Sequence, residues 1–128
     1  MMKPLGTLHP VRGRCACGAV SFTCAVESQT CNCSCDLCRR NAGSAFQSWV
    51  NGDRHSLAFS GSLTSWQSSD HAVRQFCASC GSPLFLLERD EPDVVEVCAG
   101  ALDRPDGIVS ARYAFTAKRP RWGDDAVD

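Results

Sequence analysis

Eight of the ten cysteines in this chain fall in C-x-C or C-x-x-C spacing, and that is the chemistry the sequence offers first. Pairs this close cannot cross-link distant segments, but their thiolates are well placed to grip one ion. Cys15-Ala16-Cys17 and Cys77-Ala78-Ser79-Cys80 together provide four sulfurs, the complete tetrahedral set of a closed structural zinc site. If the first pair is extended, Cys15 and Cys17 point to the same side of a strand. A C-x-x-C turn closed by Gly81 presents the other two from a different direction. Between the pairs lie 59 intervening residues, so an ion joining them clips a long loop. Zinc binding of this kind is worth about 10–16 kcal/mol in small peptides.

A second constellation is Cys33-Ser34-Cys35-Asp36-Leu37-Cys38, followed directly by Arg39 and Arg40. Three clustered thiolates with a vacant fourth position make a zinc site that accepts water or substrate. Cys35 and Cys38 straddle the expected start of a short helix, whose N-terminus favours the thiolate form. Arg39 or Arg40 would offset the negative charge collected there. The competing reading is a closed, purely structural site with its vacancy filled by Cys31, Cys98, Cys24, His55 or His71. Cys31 stands first among these, because Cys31, Cys33 and Cys35 would share a face in an extended segment.

The rest of the composition narrows the classes. The chain has 128 residues, 44% apolar and 21% charged, which fits one globular domain over residues 1–128. No apolar run approaches the roughly 20 residues of a membrane helix, and MMKPLGTLHP lacks the apolar core of a secretory signal. These features point to a cytoplasmic protein with reduced thiols and no membrane partner. A formal net charge of −1, made more negative by thiolates, leaves no electrostatic footprint for nucleic acid. Eleven arginines against two lysines is a bias that suits carboxylate recognition, although codon usage explains it as simply.

The elements that must position these sulfurs read as short strands. Val20, Phe22, Cys24 and Val26 alternate with Ser21 and Thr23. Phe46 to Val50, Leu57 to Phe59, Leu63 to Gln67, Ala72 to Phe76, Leu84 to Leu87, Val94 to Cys98 and Ala111 to Thr116 are further strand candidates. Glycine, proline, asparagine and serine between them indicate a mostly antiparallel β fold. Asp36 to Asn41, ending before Gly43, is the one expected helix, and the tail from Arg119 is polar, with Trp122 placed to pack back on the sheet. Trp49 and Trp66 are expected in the core or a pocket wall, and His9, His55 and His71 at the surface. Ser44 either donates to a ligand or belongs to the helix stop.

The chain resembles the glutathione-dependent formaldehyde-activating enzymes and their relatives, grouped with centromere protein V. The likeness rests on GRCACG from Gly13, CSCDLCRRNAGSAF from Cys33 to Phe46, and FCASCGSPLF from Phe76 to Phe85, with GALDRPDG from Gly100 as a weaker match. It runs from about Gly13 to Trp122. It implies a β-tent of antiparallel sheets stapled by zinc at Cys15, Cys17, Cys77 and Cys80. A second, labile or catalytic zinc would sit at Cys33, Cys35 and Cys38. It also implies a carbon–sulfur lyase that forms S-(hydroxymethyl)glutathione from formaldehyde and glutathione. Arg39, Arg40 and Ser44 are the candidate contacts to the thiol substrate, with helix-surface salt bridges an equal alternative for the two arginines. Two departures concern the substrate rather than the ligands. Ser34 stands where many members carry histidine inside C-x-C, and Ala111–Phe115 replaces a Pro-x-x-His-Ile-Phe pattern. The alternative is a non-catalytic zinc-stabilised binding module, supported by the spare Cys24, Cys31 and Cys98. A minor third reading is a redox or formaldehyde sensor using those cysteines. The oligomeric state is left open.

Overall fold

The computed structural model describes residues 5–123. Nine strands and, among the described residues, one α-helix follow in chain order: β1 (His9–Arg14), β2 (Ser21–Cys33), α1 (Asp36–Ala42), β3 (Gln47–Asp53), β4 (Ala58–Ser60), β5 (Leu63–Gln67), β6 (Ala72–Cys77), β7 (Pro83–Glu88), β8 (Val94–Cys98) and β9 (Ser110–Ala114). The main path of the sheet is β1-β2-β3-β8-β7-β6-β5, antiparallel at every step. The mostly antiparallel architecture with one short helix is therefore the one the strand pattern predicts.

β2 organises the fold. It has 13 residues, far beyond the alternation that ends at Val26, and a bulge between Val26 and Thr30 lets it bend and continue. Its first half is flanked by β1 and β4, with Ser21 opposite both Arg14 and Ser60. Its second half is flanked by β3 and β9, with Cys31 opposite both Trp49 and Arg112. β9 runs parallel to β2, the one parallel pairing among the described strands. It stops at Ala114 rather than Thr116 because Phe115 is left-handed, φ 56°, and a 3-10 helix follows.

Val20, Phe22, Cys24 and Val26 all turn inward, meeting Val50, Leu84, Phe85, Val95 and Val97 in the main core. Phe22 and Phe85 meet edge to face, 5.1 Å between centroids. Each such side chain is worth about 1.5–3 kcal/mol when taken out of water. β1 escapes the sequence pattern because its inward positions are His9, Val11 and Gly13. Gly13 has to be glycine: a Cβ there would lie 2.3 Å from the Phe22 ring and 2.6 Å from the Ala101 carbonyl oxygen. Two aromatic expectations need correction. Trp66 lies half exposed on the edge strand β5, and Trp122 is 68% exposed. His9 is less exposed than expected, its Nε2 buried without a hydrogen-bond partner.

Glu96 on β8 carries a pH signature. Burial, then Glu88 and Glu91, push its carboxyl up to about 8, against a weaker opposing pull from Arg74 and Arg112. The folded protein thus holds this proton more tightly than the unfolded chain does. Its contribution to stability is complete below the ordinary carboxylate range and is lost as pH rises through about 8. Glu96→Gln is expected to flatten that loss, so that the variant melts above wild type at pH 9 and not at pH 5. Parallel melting curves at both pH values would refute it.

Candidate metal centres

The first cluster joins the two ends of the sheet. Cys15 and Cys17 lie in the β1–β2 connection, while Cys77 ends β6 and Cys80 lies in the turn before β7. Their four sulfurs lie within 4.8 Å of one another. Cys15 and Cys17 do not sit on a strand as the i, i+2 argument supposes. Alternate residues of an extended strand are about 6.6 Å apart, whereas these two sulfurs are 3.6 Å apart. A turn achieves that approach, and Gly18 at φ 80° closes it, as Gly81 at φ 78° closes the other. The turns also aim backbone N–H groups at sulfur. Val20 donates to Cys15 at 3.2 Å and Ala19 to Cys17 at 3.4 Å, while Ser79 and Cys80 donate to Cys77 at 3.3 and 3.4 Å.

The geometry suits a tetrahedral ion. A metal–sulfur bond of about 2.3 Å implies sulfurs about 3.8 Å apart, and Cys17 and Cys77 are separated by 3.8 Å. Ser82, which sequence reasoning missed, ties the two turns together. Its hydroxyl accepts from the Ala16 N–H at 3.0 Å and lies 3.1 Å from the Cys80 sulfur. Hydrogen bonds from Ser82, followed by the Cys17 backbone, bring the Cys80 thiol down to about 5. Against a lowering hydrogen bond from the Ala19 N–H, the neighbouring thiols Cys15 and Cys80 push Cys17 up to about 11.

The second cluster gathers where β2, α1 and β9 meet. Cys33 is the last residue of β2, opposite Gln47 and Ala114. Cys35 caps α1, its sulfur accepting the Cys38 N–H at 3.4 Å, and Cys38 is buried in the first turn. The buried Ser34 between them donates its N–H to Ala114 at 3.0 Å, anchoring the segment to β9. The three sulfurs lie within 4.8 Å of one another. Burial pushes Cys33 up to about 12. Burial also opposes ionisation of Cys35, but the Cys38 N–H and the Cys33 and Cys38 thiols outweigh it and hold Cys35 below the usual thiol range.

Among the described residues no further cysteine, histidine or carboxylate joins this trio. Cys31 is one strand repeat back and lines a small cavity of about 150 Å³ with Glu96 and Arg112. Cys24 points its sulfur at the Ala25 and Asp53 carbonyls and the Ser56 hydroxyl. His55 meets Asp93 at 2.7 Å and His71 meets Arg89 at 3.2 Å. Cys98 comes nearest in the fold, sharing a small core with Cys38, Trp49 and Leu86, and Gln47 donates to its sulfur at 3.7 Å. All ten cysteines are free thiols.

Arg39 takes the helix-surface salt bridge, one of its two expected roles. Arg39 is engaged by the Ser34 carbonyl at 3.2 Å and Asp36 at 2.6 Å, and Arg40 is exposed on α1. The Ser44 N–H donates to the Arg39 carbonyl at 3.2 Å, so its backbone belongs to the helix stop formed with Gly43. The cation beside a cluster sulfur is Arg74 on β6, with Nη2 3.5 Å from the Cys38 sulfur. It donates as well to Gln47 Oε1 at 2.9 Å and Asn41 Oδ1 at 3.3 Å. Sequence reasoning missed all three residues. The available signal was a lone charge inside AVRQFC, the strand that delivers Cys77.

A cavity of about 440 Å³ is walled by Arg14, Ala16, Phe46, Gln47, Ser82 and Cys98 among others, with no cluster cysteine in its wall. A larger hollow of about 640 Å³ beside β1, around His9, Arg12 and Arg104, has no thiol in its wall.

Residues 10–118 match the family described as glutathione-dependent formaldehyde-activating enzyme. The chain belongs to this family. A protein of Halomonas elongata named "Putative glutathione-dependent formaldehyde-activating enzyme" is 29% identical over 126 residues, covering 88% of this chain and 78% of the relative. The crystal structure of a Rhodobacter sphaeroides protein superposes with a TM-score of 0.64 at 25% identity, over 79% of this chain and 99% of that one. The family match starts just before the GRCACG turn and ends beyond β9, so it takes in both sulfur clusters. Among the described residues no helix is long and apolar enough to cross a membrane.

Proposed function

We propose that this protein is a zinc-dependent carbon–sulfur lyase working in the direction of adduct formation, RSH + CH₂O → RSCH₂OH, with glutathione as the thiol. A sulfur–carbon bond forms, the carbonyl π bond opens, and the thiol proton ends on the new hydroxyl oxygen. The observation that carries this reading is the three-sulfur cluster with no fourth protein ligand among the described residues. Zinc is the ion proposed for both clusters, because sulfur-only ligand sets at tetrahedral spacing select it over harder cations. Cys15, Cys17, Cys77 and Cys80 hold the structural ion, and Cys33, Cys35 and Cys38 the second.

When bound at the second cluster, zinc supplies a free coordination corner that favours the thiolate of an incoming thiol, the nucleophilic form. The chain's own residues do the rest. Cys35, as cap of α1, and Cys33, anchored between β3 and β9, would hold such an ion with Cys38 from fixed backbone positions. The 440 Å³ cavity offers space for a tripeptide thiol next to Gln47 and Cys98. Arg40, exposed on α1, is assigned to a substrate carboxylate, with the Ser44 hydroxyl as a hydrogen-bond donor beside it. Formaldehyde is small and electrophilic, so alignment of the two reactants supplies much of the acceleration. Ten cysteines with no disulfide between them fit the reducing cytoplasm as the place of action.

The test is exchange NMR with glutathione and ¹³C-formaldehyde. Protein loaded with two zinc ions is expected to broaden and accelerate exchange between free formaldehyde and the adduct. An exchange rate equal to that without protein removes the lyase reading and returns the chain to a zinc-stabilised binding module.

A further inference from the structure

Arg74 is a charge buried in the wrong company for a structural arginine. It is 6% exposed, yet none of the ion pairs among the described residues includes it. A buried guanidinium without a carboxylate is costly unless something anionic compensates it. Its partners are two neutral amide oxygens, on Gln47 and Asn41, the face of Trp49 at 5.6 Å, and the Cys38 sulfur at 3.5 Å. Its Nε has no partner at all. Glu88 and Glu96 feel its field, but neither reaches ion-pair distance. The one atom in hydrogen-bond reach that can carry a negative charge is therefore the Cys38 sulfur.

Three thiolates around a divalent cation leave one net negative charge, and a fourth thiolate from a substrate leaves two. That charge is the missing partner. We propose that Arg74 is a positioning residue for the second cluster: its buried guanidinium balances the thiolate charge and fixes the Cys38 sulfur. Gln47 and Asn41 hold the fork in place, and Gln47 Nε2 in turn meets Asn41 Oδ1 at 2.7 Å. Trp49 covers its face, so the charge acts in a low dielectric where it is screened least. Buried behind Cys38, Arg74 acts through the ligand and leaves substrate contacts to groups nearer the surface.

This inference rests on the reading that the second cluster binds zinc, and its test separates the two. Zinc is titrated into the full-length protein against a chromophoric chelator, resolving the affinity of each ion, and cobalt is substituted to read the sulfur-to-metal charge-transfer band. Arg74→Met keeps the stem over Trp49 and removes the charge. It is expected to weaken the second ion by about 10–100-fold, leave the first unchanged, and shift only the second ion's band. Arg74→Lys, with its charge retained, is expected to recover most of that loss. Should the Met variant lose both ions and fail to fold, Arg74→Gln takes its place in the same comparison. Wild-type affinity in the neutral variant, or equal weakening by Lys and the neutral residue, overturns the role of Arg74. A wild-type protein that takes up a single ion overturns the metal reading itself.

Discussion

Removing the ion from the four-cysteine cluster is expected to unfold the protein. The cluster joins the β1–β2 connection to the β6–β7 turn, which lie toward opposite ends of the sheet path. Without an ion, four sulfurs crowded within 4.8 Å have no reason to stay together, and at Cys80 a thiolate would face them. A structural zinc of this kind contributes about 10–16 kcal/mol, comparable to the roughly 5–15 kcal/mol that holds a whole domain together. Cys77→Ser, at a sulfur that is 1% exposed and accepts two N–H groups, should have the same effect as chelation. Circular dichroism with thermal melting checks it. The expected result is loss of the cooperative transition in both cases, restored by zinc only in the wild type. A chelated protein that melts within a few degrees of the untreated one would refute the prediction.

The second large effect concerns Cys38→Ser. This substitution removes one of three ligands from the second cluster while leaving the other staple intact. The fold should survive, because Cys38 belongs to the smaller core with Trp49, Leu86 and Cys98 rather than to the main one. Metal content should fall from two ions to one. Adduct formation should fall by more than the roughly 10–100-fold typical of losing a group one shell further out. Cys31→Ser is the matched control, expected to keep both ions and the full rate, since Cys31 lies outside the trio. Metal analysis and the formaldehyde exchange rate, measured on both variants, decide it. Two ions and an undiminished rate in Cys38→Ser would sink the assignment.

Much of this was legible from spacing. C-x-C and C-x-x-C report local geometry, so the two sulfur groups could be paired correctly from the sequence. The alternation of Val20, Phe22, Cys24 and Val26 gave the inward face of β2, and Gly43 marked the helix stop that is found. What stayed hidden depends on pairing across the sheet. The continuation of β2 to Cys33 needs a bulge and four neighbouring strands, none of which the segment encodes alone. β9 lies parallel to β2, which short-range patterns cannot distinguish from a hairpin partner. Ser82 joins the two turns through the Ala16 N–H, 66 residues away, and Arg74 reaches the Cys38 sulfur 36 residues away in sequence. Arg39 and Arg40, adjacent to Cys38 in sequence, looked the better counter-charges. The helix turns Arg39 instead toward Asp36 and the Ser34 carbonyl.

The proposed chemistry requires an ion bound at Cys33, Cys35 and Cys38 with room for one exogenous sulfur. Anomalous diffraction at the zinc edge, from crystals grown with glutathione, measures that directly. The predicted map shows two zinc peaks, the second bounded by those three sulfurs and by one that no residue of the chain supplies. A second peak that is missing, or whose fourth sulfur comes from Cys31 or Cys98, would contradict it.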